Sequence, residues 1–366
     1  MPGPMPAPPA GVFERVTYPS AVGALGAYVT PNPGDGQRRP AIIWVTGGES
    51  NTVGDVWSAA PRDNDQNATA YRDAGIVMMF PSLRGGNDNP GQIEGMYGEI
   101  DDILAAADYL AALPYVDPQR IYLGGHSTGG TLVLLTAAAS NRFRAVFSFG
   151  PVTRAAVYGD EFIPVNFRRL PAWEERSRAP IEWLSSIRSL TFVIEGRGFG
   201  GNDEELRALR AANTNSSVQF IEVLDAGHFS VLAPMNEIIA RAILADTGPT
   251  PSIAFNNAEI EAAFRPQQRV QPGPPLLRRP TQENLQAVYP PAARAAGLDG
   301  SATVACIVQP DFKLGQCEII AEDPPGQGFG DAAITVMQTY MEVAPQTADG
   351  SSTVGGRLQR RFYWLN

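Results

Sequence analysis

Ile121-Tyr122-Leu123-Gly124-Gly125-His126-Ser127-Thr128-Gly129-Gly130 is the stretch from which the fold is read. An apolar, strand-like run leads into Gly-x-Ser-x-Gly, and an apolar helix pattern follows from Thr131 to Ala139. A serine on such a strand-to-helix turn occupies a strained backbone, and the flanking glycines keep neighbouring Cβ atoms away from it. The helix aims its amino end at the serine, where the Thr128 amide can donate to a developing oxyanion. Gly-x-Ser-x-Gly alone is a weak pattern. Between a strand and a helix it points to a nucleophile.

The surrounding chain supplies that context. From Val12 to about Ala245, short apolar runs alternate with helix-period segments, which predicts an α/β fold with a mostly parallel sheet. Strands are expected at Arg15–Tyr18, Leu25–Val29, Ala41–Val45, Ile76–Phe80, Ile121–Gly124, Ala145–Phe149, Phe192–Glu195 and Gln219–Val223. Ile100, Ile103, Leu104, Ala107 and Leu110 make one apolar helical stripe, with Glu99, Asp101 and Asp102 placed to favour its amino-terminal dipole. The periodicity breaks between Ala155 and Ser186, where tryptophans, arginines and prolines predict a small helical cap over the sheet.

Rare residue types narrow the chemistry. Lys313 is the only lysine and sits in an expected hairpin turn, which argues against a Schiff-base lysine or a Walker A loop. Cys306 and Cys317 are the only cysteines, so one chain cannot supply four thiolates to zinc or an iron–sulfur cluster. A net charge of −10 argues against a nucleic-acid partner. The longest apolar run, Leu132 to Ala139, is far short of the roughly 20 residues of a membrane span. No signal peptide is evident at the start of the sequence.

His126 and His228 are the only imidazoles, so a general base of the usual kind must be one of them. His126 stands beside the serine, where its side chain normally packs away from it. His228 follows the last expected strand, in a loop that can return to the carboxyl edge of the sheet. It is therefore assigned as the base. The acid must lie between Ser127 and His228 in chain order. Glu195, at a strand end, and Asp203, in a first helical turn behind the N-cap candidate Asn202, both fit. Glu195 is favoured because a carboxylate in a Val-Ile-Glu-Gly strand end is costly unless used. A second oxyanion donor is expected in Thr46-Gly47-Gly48-Glu49, at Gly48.

The 366 residues divide into a disordered Pro-rich tail (1–12), an α/β domain (13–247), a linker rich in Pro, Gln and Arg (248–280) and a small α+β domain (281–366). The last contains a helix at Pro291–Ala296, strands Ala302–Val308 and Gln316–Ala321, a helix Asp331–Met341 and a strand near Leu358–Trp364. The hairpin register sets Cys306 opposite Cys317, which predicts a disulfide if the compartment is oxidising.

Two resemblances add to this reading. Gly98-Glu99-Ile100-Asp101-Asp102, Tyr109-Leu110, Tyr115-Val116-Asp117-Pro118-Gln119-Arg120-Ile121 and the serine turn resemble α/β-hydrolases of the prolyl oligopeptidase and dienelactone hydrolase group. That likeness runs from about Phe13 to Ala245. It implies an eight-stranded sheet with helices on both faces, and Ser127 and His228 as nucleophile and base. This sequence departs from the family at the acid: Phe199 stands where an Asp is usual. Tyr289-Pro290, Ala293, Gly297, Gly300, Ala302-Thr303-Val304, Gly328-Phe329-Gly330, Ala332-Ala333, Pro345 and Asp349-Gly350 resemble the TonB C-terminal domain. That resemblance implies a periplasmic or cell-envelope module that binds a protein partner by strand addition.

The expected function is a serine hydrolase acting on a small ester or peptide through an acyl-enzyme, with no metal or organic cofactor required. The alternative is a catalytically silent hydrolase fold serving as an envelope adaptor. Lyase or transferase chemistry is a weaker third reading, since fold does not fix reaction.

Overall fold

Helices cover both faces of an eight-stranded sheet in the first of two units, Met1–Arg265; the second is Pro266–Asn366. A computed structural model describes residues 3–159, 162–197, 201–224, 226–264, 274–347 and 350–364. The strands are β1 (Glu14–Ser20), β2 (Gly23–Val29), β3 (Arg39–Val45), β4 (Val77–Pro81), β5 (Val116–His126), β6 (Ala145–Phe149), β7 (Leu190–Gly196) and β8 (Val218–Val223), in the order β1-β2-β4-β3-β5-β6-β7-β8. The β1–β2 and β2–β4 pairs are antiparallel and every later pair is parallel. All parallel strands therefore end at one edge, where loops can converge.

The helices are α1 (Thr69–Asp73), α2 (Glu99–Ala112), α3 (Thr128–Ala139), α4 (Ala172–Ser177), α5 (Asp203–Ala212), α6 (Leu232–Ala245) and α7 (Asn257–Phe264). Alternation along β3 divides the core. Ala41, Ile43 and Val45 pack with Ile103 and Leu110 of α2, Leu132 and Leu135 of α3 and Leu206 of α5. Ile42 and Trp44 face the other way, toward Tyr71 of α1, Met235, Ile239 and Ile243 of α6 and Ile260 of α7. The Ala155–Ser186 stretch holds α4 and short 3₁₀ turns. Its Arg178 is buried and donates to the carbonyls of Glu94 and Gly95, which ties the cap to the loop after β4.

Three local expectations are corrected by packing. The Pro-rich start is not free from residue 3 onward: Met5 is buried against Gly26, where the missing side chain leaves room. The Tyr28 hydroxyl donates to Pro6 O at 2.5 Å and Asn87 Nδ2 to Gly3 O at 3.2 Å. Prolines lack an N–H but keep their carbonyls, and both of these bonds are accepted by carbonyls of the segment. Within the expected linker, Ile253 and Ile260 are buried in the core beside α6, so residues up to Phe264 are part of the first unit; residues 265–273 lie outside the described residues. Third, Glu99 and Asp102, expected to favour the amino-terminal dipole of α2, are more than helix-start acids. Both are buried. Glu99 accepts from the N–H groups of Glu94, Gly95 and Tyr97 and from Asn51 Nδ2, while Asp102 forms a two-oxygen contact with Arg84.

The second unit comprises β9 (Leu276–Arg278), α8 (Gln282–Ala287), α9 (Pro291–Ala295), β10 (Gly300–Val308), β11 (Leu314–Asp323), α10 (Phe329–Tyr340), β12 (Glu342–Val343) and β13 (Arg357–Trp364). An antiparallel sheet runs β11-β10-β13, and β12 pairs with β9. Cys306 and Cys317 are joined by a disulfide, with Cα atoms 4.1 Å apart. The pairing is not the simple opposed one read from the hairpin: a register irregularity falls between Ala305 and Ile307. Thiol titration of the denatured, unreduced protein should find no free thiol. Breaking the bridge with Cys317→Ser should lower stability by about 2–3 kcal/mol, as expected for a short loop.

The C-terminus of α6 is anchored to the sheet by one buried carboxylate. Asp246 accepts from Arg144 at 2.6 and 2.8 Å and from the Tyr122 hydroxyl at 2.7 Å. Burial alone would raise this carboxyl, but Arg144, Tyr122 and Ser252 outweigh it and hold it well below the usual carboxylate range. A depressed folded-state value gives stability that is present above the unfolded value near about 3.9 and is lost as pH falls through the folded one. Chemical denaturation as a function of pH should show this loss on the acid side. Asp246→Asn should flatten it, and at neutral pH should cost about 3–5 kcal/mol by leaving Arg144 uncompensated.

Candidate active site

Ser127 lies between β5 and α3 with φ 56° and ψ −116°, a conformation that non-glycine residues rarely adopt. Its N–H donates to Phe149 O at 2.8 Å, and its carbonyl accepts from the N–H of Thr131 at 2.9 Å. The tight turn is why glycines flank it. A Cβ on Gly125 would stand 2.7 Å from Gly129 O, and one on Gly129 would stand 2.6 Å from Thr46 O and closer still to Val45 O. Both glycines are thus required by close backbone approach.

His228 and Glu195 are brought together. Glu195, at the end of β7, is fully buried and its Oε2 lies 2.8 Å from His228 Nδ1. The same carboxylate accepts from Gly196 N at 2.6 Å and Asn202 N at 3.0 Å. Three polar contacts around the carboxylate fix its orientation. With Nδ1–H given to Glu195, the neutral His228 ring keeps Nε2 as an acceptor. Asp203 is placed elsewhere: it heads α5 and pairs with Arg207 at 2.5 Å. Arg197, two residues after Glu195, lies 3.9 Å from Glu222. Phe199 lies outside the described residues.

The β3 turn meets the serine turn directly, because Thr128 Oγ1 donates to Gly48 O at 2.7 Å. Gly48 has φ +77°, a conformation suited to glycine. Thr128 is the first residue of α3, so its N–H belongs to the four that a helix leaves without an internal partner. Gly47 N is engaged by Gln66 Oε1 at 3.2 Å.

Sequence comparison agrees with this architecture. Residues 62–197 match the prolyl oligopeptidase family, and residues 286–364 match the C-terminal domain of the Gram-negative bacterial TonB protein. The first unit has the α/β-hydrolase fold. It is similar to an acylaminoacyl peptidase of Pyrococcus horikoshii, with TM-score 0.51 and 14% identity over 70% of this chain and 44% of that one. It is similar also to dipeptidyl peptidase 4 of Porphyromonas gingivalis, with TM-score 0.50 and 18% identity over 64% of this chain and 35% of that one. In sequence, 117 residues are 32% identical to dipeptidyl-peptidase 5 of Porphyromonas gingivalis, 30% of this chain but 16% of that protein. The chain spans less than half the length of each of these three relatives.

Four residues of this α/β-hydrolase site escape sequence reasoning. Gly150, φ +55°, lies under the His–Glu pair: a Cβ there would stand 2.7 Å from both Glu195 Oε2 and His228 Nδ1. Asn202, expected as a side-chain N-cap, makes no such cap and instead donates from Nδ2 to Gly150 O at 3.0 Å. The hydroxyl of half-buried Tyr158 bonds to Thr131 Oγ1 at 2.9 Å, and desolvation raises its pKa above the usual tyrosine value. Gln66 contacts both Gly47 and His126. Only Gly150, a glycine directly after a predicted strand, carried a signal in the sequence. Gly150→Ala should lower stability by about 1–3 kcal/mol through overpacking and should separate His228 from Glu195. Thermal unfolding and a crystal structure of the variant check both effects.

Proposed function

We propose that the first unit is a serine hydrolase of esterase or peptidase type, with Ser127 as nucleophile, His228 as general base and Glu195 as the orienting acid. Ser127 Oγ attacks the substrate carbonyl while His228 Nε2 takes its proton. The negative oxygen of the tetrahedral intermediate is met by the N–H groups of Thr128 and Gly48. His228 then returns the proton to the leaving group, and a water activated by the same ring releases the acyl-enzyme. The observation that carries this reading is the buried 2.8 Å contact between Glu195 and His228. It holds the imidazole in the tautomer a base requires.

A silent scaffold is the competing reading, and it draws on the absence of an Asp at position 199. The Glu195 contact weighs against it, because a carboxylate already orients the ring from the strand end. The second unit fits a protein-binding module of the cell envelope, a reading supported by the TonB C-terminal match and, through its preference for an oxidising compartment, by the disulfide. Its outer strands β11 and β13 offer edges to which a partner segment can add. Among the described residues, no helix is long and apolar enough to cross a membrane.

A fluorophosphonate probe tests the catalytic reading. Wild-type protein should be labelled and Ser127→Ala should not. With a p-nitrophenyl ester, Glu195→Gln should reduce turnover by about 10⁴, whereas Asp203→Asn should stay near wild type. Absent labelling of folded wild type would favour the scaffold, and a crippled Asp203→Asn would move the acid to that position.

A further inference from the structure

His126 is the second imidazole, and the chemistry above leaves it without a role. It is fully buried, and burial, followed by the neighbouring His228, pushes its pKa well below the usual histidine value. The ring is therefore neutral, with one N–H to give. Its Nε2 lies 3.0 Å from the backbone carbonyl of His228, which can only accept, so the proton sits on Nε2. The ring also packs at a 43° tilt against the His228 ring, with centroids 4.4 Å apart, and against Phe229 at 5.3 Å.

The other side of the ring reaches the oxyanion turn. Nδ1 lies 3.3 Å from Gln66 Oε1, and the same oxygen accepts from Gly47 N at 3.2 Å. Gln66 is itself fixed, because its carbonyl accepts from Trp44 Nε1 at 2.9 Å. With its proton on Nε2 the ring has only a lone pair at Nδ1, so Nδ1 and Gln66 Oε1 meet as a close contact and not as a hydrogen bond. The ring also lies against the turn before Gly48, since a Cβ on Gly47 would stand 3.0 Å from Nδ1. One side chain thus packs on that turn and bonds to the backbone of the base through Nε2.

We propose that His126 is a positioning residue for the hydrolase site, fixing the backbone of His228 by its Nε2–H bond while its buried ring packs against Gly47 in the turn after β3. The proposal rests on the Ser127–His228–Glu195 reading for its effect on rate, but not for its effect on the loop. Glu195 sets the tautomer of the base; His126 sets where the base stands. An error of about 1 Å in such a placement costs on the order of 10²-fold in rate.

Two substitutions separate the bond from the packing. His126→Phe keeps a buried ring and removes the donor, whereas His126→Gln keeps a donor near the Nε2 position. Fluorophosphonate labelling and p-nitrophenyl ester hydrolysis should fall by about 10- to 100-fold in His126→Phe. The loss should lie in kcat with KM nearly unchanged, and His126→Gln should recover most of it. Hydrogen exchange of the backbone amides of residues 227–231 provides a readout independent of activity. It should speed by about tenfold or more in His126→Phe, with protection of β3 and β5 intact, and return toward wild type in His126→Gln. Equal exchange in wild type and His126→Phe would overturn the proposal. So would a His126→Gln variant as impaired as His126→Phe, since the donor would then be irrelevant. If wild type fails to label, the hydrolase reading falls, while the exchange measurement still decides whether His126 holds the loop.

Discussion

Ser127 is held at φ 56°, ψ −116°, a backbone conformation that costs a non-glycine residue on the order of 1–3 kcal/mol. Its surroundings supply the compensation. Ser127 N–H bonds to the end of β6, and its carbonyl bonds into the first turn of α3. Gly125, Gly129 and Gly130 let β5, β3 and β6 approach the turn more closely than any Cβ would permit. The strain is thus stored where three parallel strands end together, and the buried sheet and α3 over-determine it. A serine so placed has its side chain lifted from the strand end toward the loops that follow β3, β6 and β7.

Those loops are bound to one another by a few buried polar groups. Glu195 gathers Gly196, Asn202 and His228, and Asn202 reaches on to Gly150. On the opposite side, Thr128 holds Gly48, and Glu99 holds Asn51 together with the 94–97 turn. Each carboxylate is paired with several donors, as burial demands. On the proposed assignment, base, acid and oxyanion donors would be set before any substrate arrives. The 155–186 stretch is fastened to the same framework, because Arg178 bonds to the 94–95 backbone that Glu99 organises.

What the sequence made legible follows from how local each feature is. The serine turn, the strands and the α2 stripe are written in neighbouring residues, and the observed elements match their places, though β5 begins at Val116, five residues before the expected start, and β4 is shifted by one residue. Glu195 could be nominated because a charged residue at a buried strand end is conspicuous. Tyr158 and Gln66 could not, since each gains its meaning only from a partner far along the chain. Glu99 and Asp102 were legible as helix-start acids, but the sequence does not reveal that Asn51 and Arg84 draw them inside. The Pro-rich start misled for a related reason. Its composition describes a chain poor in donors, whereas Gly26 provides a recess and Tyr28, Asn87 and Arg15 provide donors to its carbonyls.

The central claim is that Ser127, His228 and Glu195 together form and break an acyl bond. Rapid mixing with p-nitrophenyl acetate, followed by acid quenching and intact-mass measurement, reads that intermediate directly. A burst of p-nitrophenol close to one equivalent per chain, with an acetyl group carried on the Ser127 peptide, is the predicted result. Steady hydrolysis without a burst or a modified peptide, or acetylation at a residue other than Ser127, would contradict it.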